Sequence, residues 1–251
     1  MPSKQRHRGQ HPSDAQLFAA RQIPVLRAAV ADLSYLLTRN YAEKAALKLV
    51  GDHYQLAKRQ RQAVLGAACG DETLRNRRRT GRELTAIAGQ SLWIDGYNVL
   101  ITVESALSGG LLFRGRDGCY RDLASVHGSY KRVEETTPAI RCIGALLEEA
   151  APAEVTWLFD APVSNSGRLK TLILEEAASA GWPWDVRLEK RVDAQLAEAP
   201  GVIATADGNL LDRAKAWVNL TAPLLARLDP TPAVVELDQP GAAGVRRSVA
   251  G

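Results

Sequence analysis

From residue 91 onward, short apolar runs alternate with longer amphipathic segments. We interpret the runs 91–95, 154–160, 184–190 and 201–207 as strands, with 232–238 as a possible edge strand. The segments 134–150, 166–181 and 209–220 have the apolar spacing of helices. Strands that alternate with helices favour crossover connections between parallel strands. The pattern therefore predicts an α/β fold, a three-layer arrangement of a parallel sheet with helices on both faces.

The first 88 residues differ from the remainder in both pattern and charge. They read as successive amphipathic helices, and residues 1–90 contain sixteen Lys and Arg against seven Asp and Glu. We predict a basic, all-helical N-terminal unit over 1–88, the α/β domain over 89–238 and a disordered tail over 239–251. A basic unit joined to an acidic body suggests attraction to a polyanion, although a solvated basic helix face is the plain alternative.

Composition limits the compartment and the chemistry. No apolar run approaches the ~18 residues that span a bilayer, so we expect no membrane association. Three scattered cysteines without a CxxC motif predict a reducing, cytoplasmic location and neither a disulfide framework nor a zinc ribbon. The four histidines are equally dispersed. If the protein binds a metal, oxygen ligands and hence Mg²⁺ or Mn²⁺ are expected.

Aspartates stand at equivalent places along the predicted sheet. Asp95, Asp160 and Asp207 close the first, second and fourth strands, and Asp193 follows the third. A single aspartate after a strand is most often a turn or helix-capping residue. Four of them at the carboxyl edge of one parallel sheet, where ligands bind in such folds, predict a carboxylate cluster. A divalent cation would relieve the repulsion within such a cluster and could support the hydrolysis of phosphodiesters.

The segment WIDGYNVL resembles the first-strand motif of the NYN branch of the PIN-like nuclease superfamily, in which a strand ends in Asp-Gly-x-Asn. The later pieces LFD, KRVD and ATAD occur in the matching order, and the resemblance covers residues 91 to about 225. The whole chain is also similar to an uncharacterised prokaryotic family in which a helical leader, here SYLLTRNYAEKAALKLVGDHYQLAKRQR, precedes a PIN-like domain.

This resemblance implies a metal-dependent ribonuclease. Asp95, Asp160, Asp193 and Asp207 would then bind Mg²⁺ or Mn²⁺ directly or through water. Asn98 would orient Asp95 or a substrate phosphate, and Gly96 would let the backbone approach the metal or the phosphate.

The chain departs from the family pattern because many relatives carry a second acid beside the third or fourth carboxylate. Here Ala194 follows Asp193, and Asn209 stands two residues after Asp207. Glu104 and Asp212 are the possible additional acids, although Asp212 could instead pair with Arg213 or Lys215 at the surface. Because the chain has fewer acidic residues than many relatives, the alternative is a catalytically inactive PIN-like fold that acts as an RNA-binding or scaffold protein.

Three further segments are candidates for contact with the substrate. The loop after Asp160 offers Ser164, Ser166, Arg168 and Lys170 for phosphate binding, with an ordinary helix cap at Ser166 as the alternative. The insertion 111–132 carries Arg114 and Arg116 among aromatic residues, a composition suited to single-stranded nucleic acid or to a surface flap packed by its own aromatics. The leader offers a nucleic-acid-binding basic patch of Lys58, Arg59, Arg61, Arg75, Arg77, Arg78 and Arg79.

A rival enzyme class is a phosphotransferase or phosphatase with Asp95 as its nucleophile. Such enzymes commonly place a second Asp two residues later, and position 97 is Tyr, which disfavours that class. The RNA that would be bound, and whether the chain forms a homo-oligomer, stay open at the level of sequence.

Overall fold

The computed structural model describes residues 7–124 and 128–238. Its N-terminal part is a helical leader. The leader consists of α1 (Asp14–Leu17), a 3-10 turn (Ala20–Gln22), α2 (Ile23–Thr38), α3 (Glu43–His53), α4 (Lys58–Ala67) and α5 (Asp71–Thr80). Leu26, Leu33 and Val64 are fully buried between its helices. Among the described residues, no helix is both long enough and apolar enough to cross a membrane.

The remainder of the described chain is an α/β unit whose strands and helices alternate. In chain order it comprises β1 (Gly81–Arg82), a 3-10 turn (Leu84–Ile87), β2 (Ser91–Asp95), α6 (Gly96–Leu107), β3 (Leu112–Arg114), β4 (Tyr120–Arg121), α7 (Thr136–Ala150), β5 (Glu154–Asp160), α8 (Ser166–Ala180), β6 (Trp184–Glu189), α9 (Val192–Ala197), β7 (Val202–Ala204), α10 (Gly208–Arg213), β8 (Trp217–Val218), α11 (Thr221–Leu225) and β9 (Val234–Glu236).

The main sheet has six parallel strands in the order β1-β8-β7-β2-β5-β6. Side chains alternate between its faces. Leu92 and Ile94 of β2 pack in a core with α6, α7 and α8, whereas Trp93 contacts the cluster formed by α9 and α10. The predicted α/β architecture, a parallel sheet flanked by helices and preceded by a helical region, is confirmed.

Two predicted element assignments differ from the structure. The segment 209–220 was expected to be one helix, but α10 ends at Arg213 and Trp217–Val218 form β8. This strand is buried between β7 and β1, where an aromatic and a β-branched residue pack well. In addition, β1 lies within the segment predicted to be all-helical, and it forms the edge of the main sheet.

The predicted edge strand 232–238 belongs to a second sheet. Residues Val234–Glu236 pair with β3, and β3 pairs with β4, giving a three-stranded sheet of order β4-β3-β9. Phe113 and Leu237 of this region share an apolar cluster with the leader helices. The small sheet therefore joins the leader to the α/β unit. The predicted tail 239–251 lies outside the described residues.

Candidate active site

The four strand-end aspartates line one cavity of about 580 Å³. Asp95 and Asp160 are the last residues of β2 and β5. Asp207 follows β7 as the N-cap of α10, and Asp193 lies in the first turn of α9, directly after β6. Because β7, β2, β5 and β6 are consecutive neighbours in a parallel sheet, their carboxyl ends bring these residues to a single edge.

Burial and neighbouring carboxylates together shift the pKa of Asp95. Asp95 is half-buried, and the hydroxyl of Thr205 donates a hydrogen bond of 2.8 Å to its Oδ2. Burial raises the pKa of Asp95 to about 7, the Thr205 hydrogen bond opposes this rise, and the charges of Asp207 and Asp193 add to it. The Asp95 carboxyl group therefore titrates near neutral pH in the metal-free protein.

Asp160 experiences a weaker version of the same effect. Burial, followed by the charge of Asp193, raises its pKa above the ordinary range. Asp193 itself is exposed. Since Asp193 acts on both Asp95 and Asp160, the carboxylates of β2, β5 and α9 form one interacting group rather than independent surface charges.

Hydrogen bonds hold both the loop before Asp207 and the start of α10. The Asp207 N–H donates to Oγ1 of Thr205 (3.0 Å), and the Leu210 N–H donates to Oδ1 of Asp207 (3.1 Å), which caps α10. The Ala206 N–H donates to Oδ1 of Asn98 (2.7 Å). The side chain of Asn98, which we expected to orient Asp95 or a phosphate, thus ties α6 to the residue preceding Asp207.

Position 96 must be a glycine because the aromatic ring of Phe159 lies against its Cα. A Cβ atom built at Gly96 would lie 2.4 Å from Cε1 of Phe159 on the adjacent strand β5. We expected this glycine to admit a metal or phosphate to the backbone, whereas the close approach that the structure contains is that of the Phe159 ring.

Of the two possible additional acids, Glu104 lies away from the cavity and Asp212 lines it. Glu104 is completely buried in α6, where its carboxylate forms an ion pair with Arg8 and accepts hydrogen bonds from Tyr130 and Thr136. It is therefore not available to the cavity, and the prediction for Glu104 is wrong. Asp212 does line the cavity, but it pairs with Arg77 at 2.6 Å rather than with Arg213 or Lys215.

The leader forms one wall of the cavity. Glu43, Gln62, Leu65 and Gly66 of α3 and α4 line it, together with Arg77 of α5. The acidic side chains lining the cavity outnumber the arginines, and both arginines contact Asp117. The acidic lining residues are Glu43, Asp95, Asp122, Asp160, Asp193, Asp207 and Asp212, and the basic ones are Arg77 and Arg121. Such a surplus of negative charge favours a cation in the cavity.

The basic patch predicted on the leader is only partly a surface. Arg77 is 5% exposed, and Arg59 and Arg61 form ion pairs with Asp14 and Asp52 at 2.8 Å. Arg77 is therefore buried and cannot serve as an open phosphate contact, whereas Arg59 and Arg61 are partly exposed but already paired with carboxylates. The exposed members are Lys58, Arg75, Arg78 and Arg79, the last three on α5.

The predicted phosphate-binding residues lie outside the cavity lining. Ser164 bonds through its backbone to Gly128 and Tyr130, and Ser166 is buried as the first residue of α8. Arg168 is exposed and Lys170 half-buried. The same loop reaches the cavity through Val163. The helix cap residue is Asn165, not Ser166, and its side-chain amide donates to the Tyr130 carbonyl (2.9 Å).

The insertion 111–132 folds in part as the β3–β4 hairpin. Arg114 pairs with Asp238 (3.3 Å) and Glu236 (3.6 Å), and Arg116 pairs with Asp71 (2.9 Å). Phe113 and Tyr130 are each 2% exposed, so neither ring can stack on a base. The alternative, a flap packed by its own aromatics, does not describe them either, because Phe113 packs on Phe18 of the leader (ring centroids 4.7 Å apart) and Tyr130 packs on Tyr97 of α6 (5.7 Å). His127 lies outside the described residues.

Three positions around the cavity were not among the residues assigned to the site from the sequence. Thr205 orients Asp95 and Asp207, Asp122 lines the cavity beside Thr102 (2.7 Å), and Arg121 donates to the Ala206 carbonyl (2.7 Å). A local signal existed only for Thr205, because a threonine two residues before an aspartate commonly bonds to that backbone N–H. Asp122 and Arg121 stood in a segment that was interpreted as a loop.

Oxygen donors of this kind suit Mg²⁺ or Mn²⁺, but their spacing matters. Within residues 7–124 and 128–238, no three histidine, cysteine or acidic side chains lie close enough together to share one ion. The donor chemistry and the surplus negative charge fit a hard cation. A cation in this cavity would therefore have only one or two carboxylate ligands and would retain several waters, a coordination that Mg²⁺ accepts.

Fold and cavity together define an α/β protein with an acidic cleft at the carboxyl edge of its parallel sheet. Residues 84–223 match the family described as a domain of unknown function, DUF5616, and the chain belongs to this family. Residues 25–80 match a second family, described as a protein of unknown function, DUF434. An uncharacterised protein of Methanocaldococcus jannaschii, MJ0935, is 32% identical over 180 residues, which cover 72% of this chain and 86% of the relative. No solved structure matches the chain.

Proposed function

We propose that the protein is a metal-dependent ribonuclease with a PIN-like fold of the NYN type. The observation that carries this proposal is the convergence of Asp95, Asp160, Asp193 and Asp207, from four neighbouring strand ends, on one acidic cavity. A structural role as turn or capping residues explains Asp207, but it does not explain why a half-buried Asp95 faces two further carboxylates.

Asp95 and Asp207 would hold Mg²⁺ or Mn²⁺, with Asp160 and Asp193 acting directly or through water. The bound cation would supply an activated water and would stabilise charge on the leaving oxygen of a phosphodiester. Thr205 keeps Asp95 oriented by its hydrogen bond, and Asn98 fixes the loop that carries Asp207. Without a cation, burial raises the pKa of Asp95 to about 7, and a bound cation would favour its ionised form.

A nucleic-acid substrate is proposed because exposed cations lie on elements that border the acidic cavity, and RNA in particular because of the resemblance to the NYN branch. Arg75, Arg78 and Arg79 occupy the solvent face of α5, the same helix whose Arg77 lines the cavity. Arg168 and Lys170 stand near the start of α8, next to the loop that reaches the cavity through Val163. A negatively charged strand could thus be held at the rim by arginines while a cation screens it from the carboxylates.

We propose a cytoplasmic location, consistent with three free thiols at Cys69, Cys119 and Cys142.

A second candidate function is an RNA-binding or scaffold protein that retains the fold without catalysis. The spacing of the acidic side chains, with no three of them positioned to share an ion in the described ranges, favours this alternative. The exposed arginines of α5 would serve either function.

The deciding experiment compares the wild type with the double variant Asp95→Asn/Asp207→Asn on mixed end-labelled RNA, with Mg²⁺ or Mn²⁺ and with EDTA. We expect cleavage by the wild type with metal, and a loss of at least about 100-fold in the variant and in EDTA. The matched control, Asp185→Asn/Asp229→Asn, also removes two carboxylates but leaves the cavity intact. Salt-sensitive RNA binding without cleavage by any of the proteins would favour the scaffold alternative.

A further inference from the structure

Three charged side chains from distant parts of the sequence meet beside the acidic cavity. Arg77 comes from the leader helix α5, Asp117 from the turn between β3 and β4, and Arg121 from β4. Both arginines bond to Oδ2 of Asp117 at 2.6 Å, and Arg121 also contacts its Oδ1 at 3.0 Å. The Asp117 side chain is 2% exposed and that of Arg77 is 6% exposed, so this bridge is shielded from solvent.

The same two arginines also hold the backbone on both sides of Asp207. Arg121 donates from Nε to the carbonyl oxygen of Ala206 (2.7 Å), and Arg77 donates from Nη2 to the carbonyl oxygen of Gly208 (3.1 Å). Arg77 donates in addition to the side chain of Asp212 one helical turn further along (2.6 Å). The carbonyl groups of the residues before and after Asp207 are thereby fixed by one connected ionic network.

The network is charged at neutral pH. Burial alone would raise the pKa of Asp117, but the charges and hydrogen bonds of Arg121 and Arg77 outweigh it and hold that pKa below the ordinary range. A buried ion network is poor support for stability compared with apolar packing, because each charge must be removed from water. Its geometric effect is specific, since a planar guanidinium donates in fixed directions.

We propose that Arg77 and Arg121, bridged by Asp117, are positioning residues that fix Asp207 at the acidic cavity, so that the helical leader is an integral part of the site. This inference rests on the proposed function in one respect, namely that Asp207 serves a bound cation. Groups that orient metal ligands commonly change metal affinity by about 10- to 100-fold when they are altered. The leader then has a role beyond electrostatic attraction to RNA.

The test uses the full-length chain with Arg77→Lys, which retains the charge but loses the fork, and Asp117→Asn, which weakens the bridge. Arg78→Lys is the matched control, because Arg78 is the exposed neighbour on the same helix. The first measurement is hydrogen–deuterium exchange of metal-free protein. We expect exchange of the amides in 204–210 to accelerate about tenfold in both test variants, with no change in α7 and none in the control. Unchanged exchange in 204–210 would overturn the proposal.

The second measurement is Mn²⁺ affinity by calorimetry at fixed pH. We expect Arg77→Lys and Asp117→Asn to weaken binding at least about tenfold and Arg78→Lys to leave it within about twofold of wild type. If exchange accelerates but Mn²⁺ affinity is unchanged, the network is a structural tie and the positioning role is refuted. If the wild type itself binds no Mn²⁺ while local exchange responds as expected, the network still fixes Asp207 and the proposed metal-dependent activity is what fails.

Discussion

At the scale of single residues, Asp95 is held where its charged form is disfavoured. Its carboxyl is half-buried beside Asp207 and Asp193, and the hydrogen bond that the Thr205 hydroxyl donates to it does not offset the burial. Proteins seldom retain such a group for stability alone, because the neutral asparagine would avoid the cost. The free-energy cost of ionising Asp95 in the metal-free protein is what we expect of a site that binds a cation.

This residue makes the stability of the metal-free protein depend on pH. Its folded-state pKa of about 7 lies above the ordinary 3.8, so the stabilising contribution is complete below about pH 4 and is lost as the pH rises through 7. We expect Asp95→Asn to raise the free energy of unfolding by about 1–3 kcal/mol at pH 8 and to change it little at pH 4. Urea unfolding in EDTA at the two pH values measures both effects.

The control is Asp185→Asn, which removes an exposed carboxylate on β6. It should show no gain at pH 8. A loss of stability in Asp95→Asn at pH 8 would mean that the ionised carboxylate is satisfied in the folded protein, and the account of a strained acidic cluster would be incorrect.

Residues whose roles depend on near neighbours in the sequence were accessible to sequence reasoning, and others were not. Asp95, Asp160 and Asp207 could be located because a strand, its end and the following turn are local patterns. The role of Arg77 could not, since its partners Asp117 and Asp212 lie 40 and 135 residues away. From sequence it is indistinguishable from Arg78 and Arg79, which face solvent on the same helix.

At the scale of elements, the alternation of strands and helices was predictable, but the segment after Arg213 was not. Residues 209–220 have helical spacing, yet the chain leaves α10 and enters β8, where Trp217 and Val218 fill the space between β7 and β1. The Trp217 indole N–H also donates to the Arg77 carbonyl (2.8 Å). Tertiary packing, which no local pattern contains, decided this element.

Two strand-to-helix junctions allow a paired prediction. Gly96 begins α6 against the Phe159 ring, whereas a Cβ at Gly167, in the first turn of α8, meets no described atom within 4 Å. We expect Gly96→Ala to lower the free energy of unfolding by about 1–3 kcal/mol through overpacking. Gly167→Ala should raise it by about 0.4–1 kcal/mol by restricting the unfolded chain. Chemical denaturation of both variants makes the comparison, and a neutral Gly96→Ala would show that Phe159 moves aside freely.

At the scale of the whole molecule, the leader and the α/β unit share structure as well as sequence continuity. Phe113 and Leu237 complete the apolar cluster of the leader, β1 follows α5 directly into the main sheet, and α4 lines the acidic cavity through Gln62 and Leu65. The charge difference along the chain suggested two separable units. The contacts place the boundary inside a shared core, which a charge count cannot reveal.

The exposed arginines of α5 provide the remaining prediction. If Arg75, Arg78 and Arg79 contact phosphates, each contact releases counterions, and the slope of log K against log salt changes by about 0.7 per contact on a single strand. We expect the triple substitution to Gln to weaken RNA binding and to reduce the magnitude of this slope by about 2. Fluorescence anisotropy with single-stranded RNA at several salt concentrations measures both. The matched control replaces Arg141, Arg187 and Arg227, which are exposed elsewhere, and changes net charge equally. Equal slopes for the two triple variants would mean that α5 is not an RNA-binding face and that only the general charge of the protein attracts RNA.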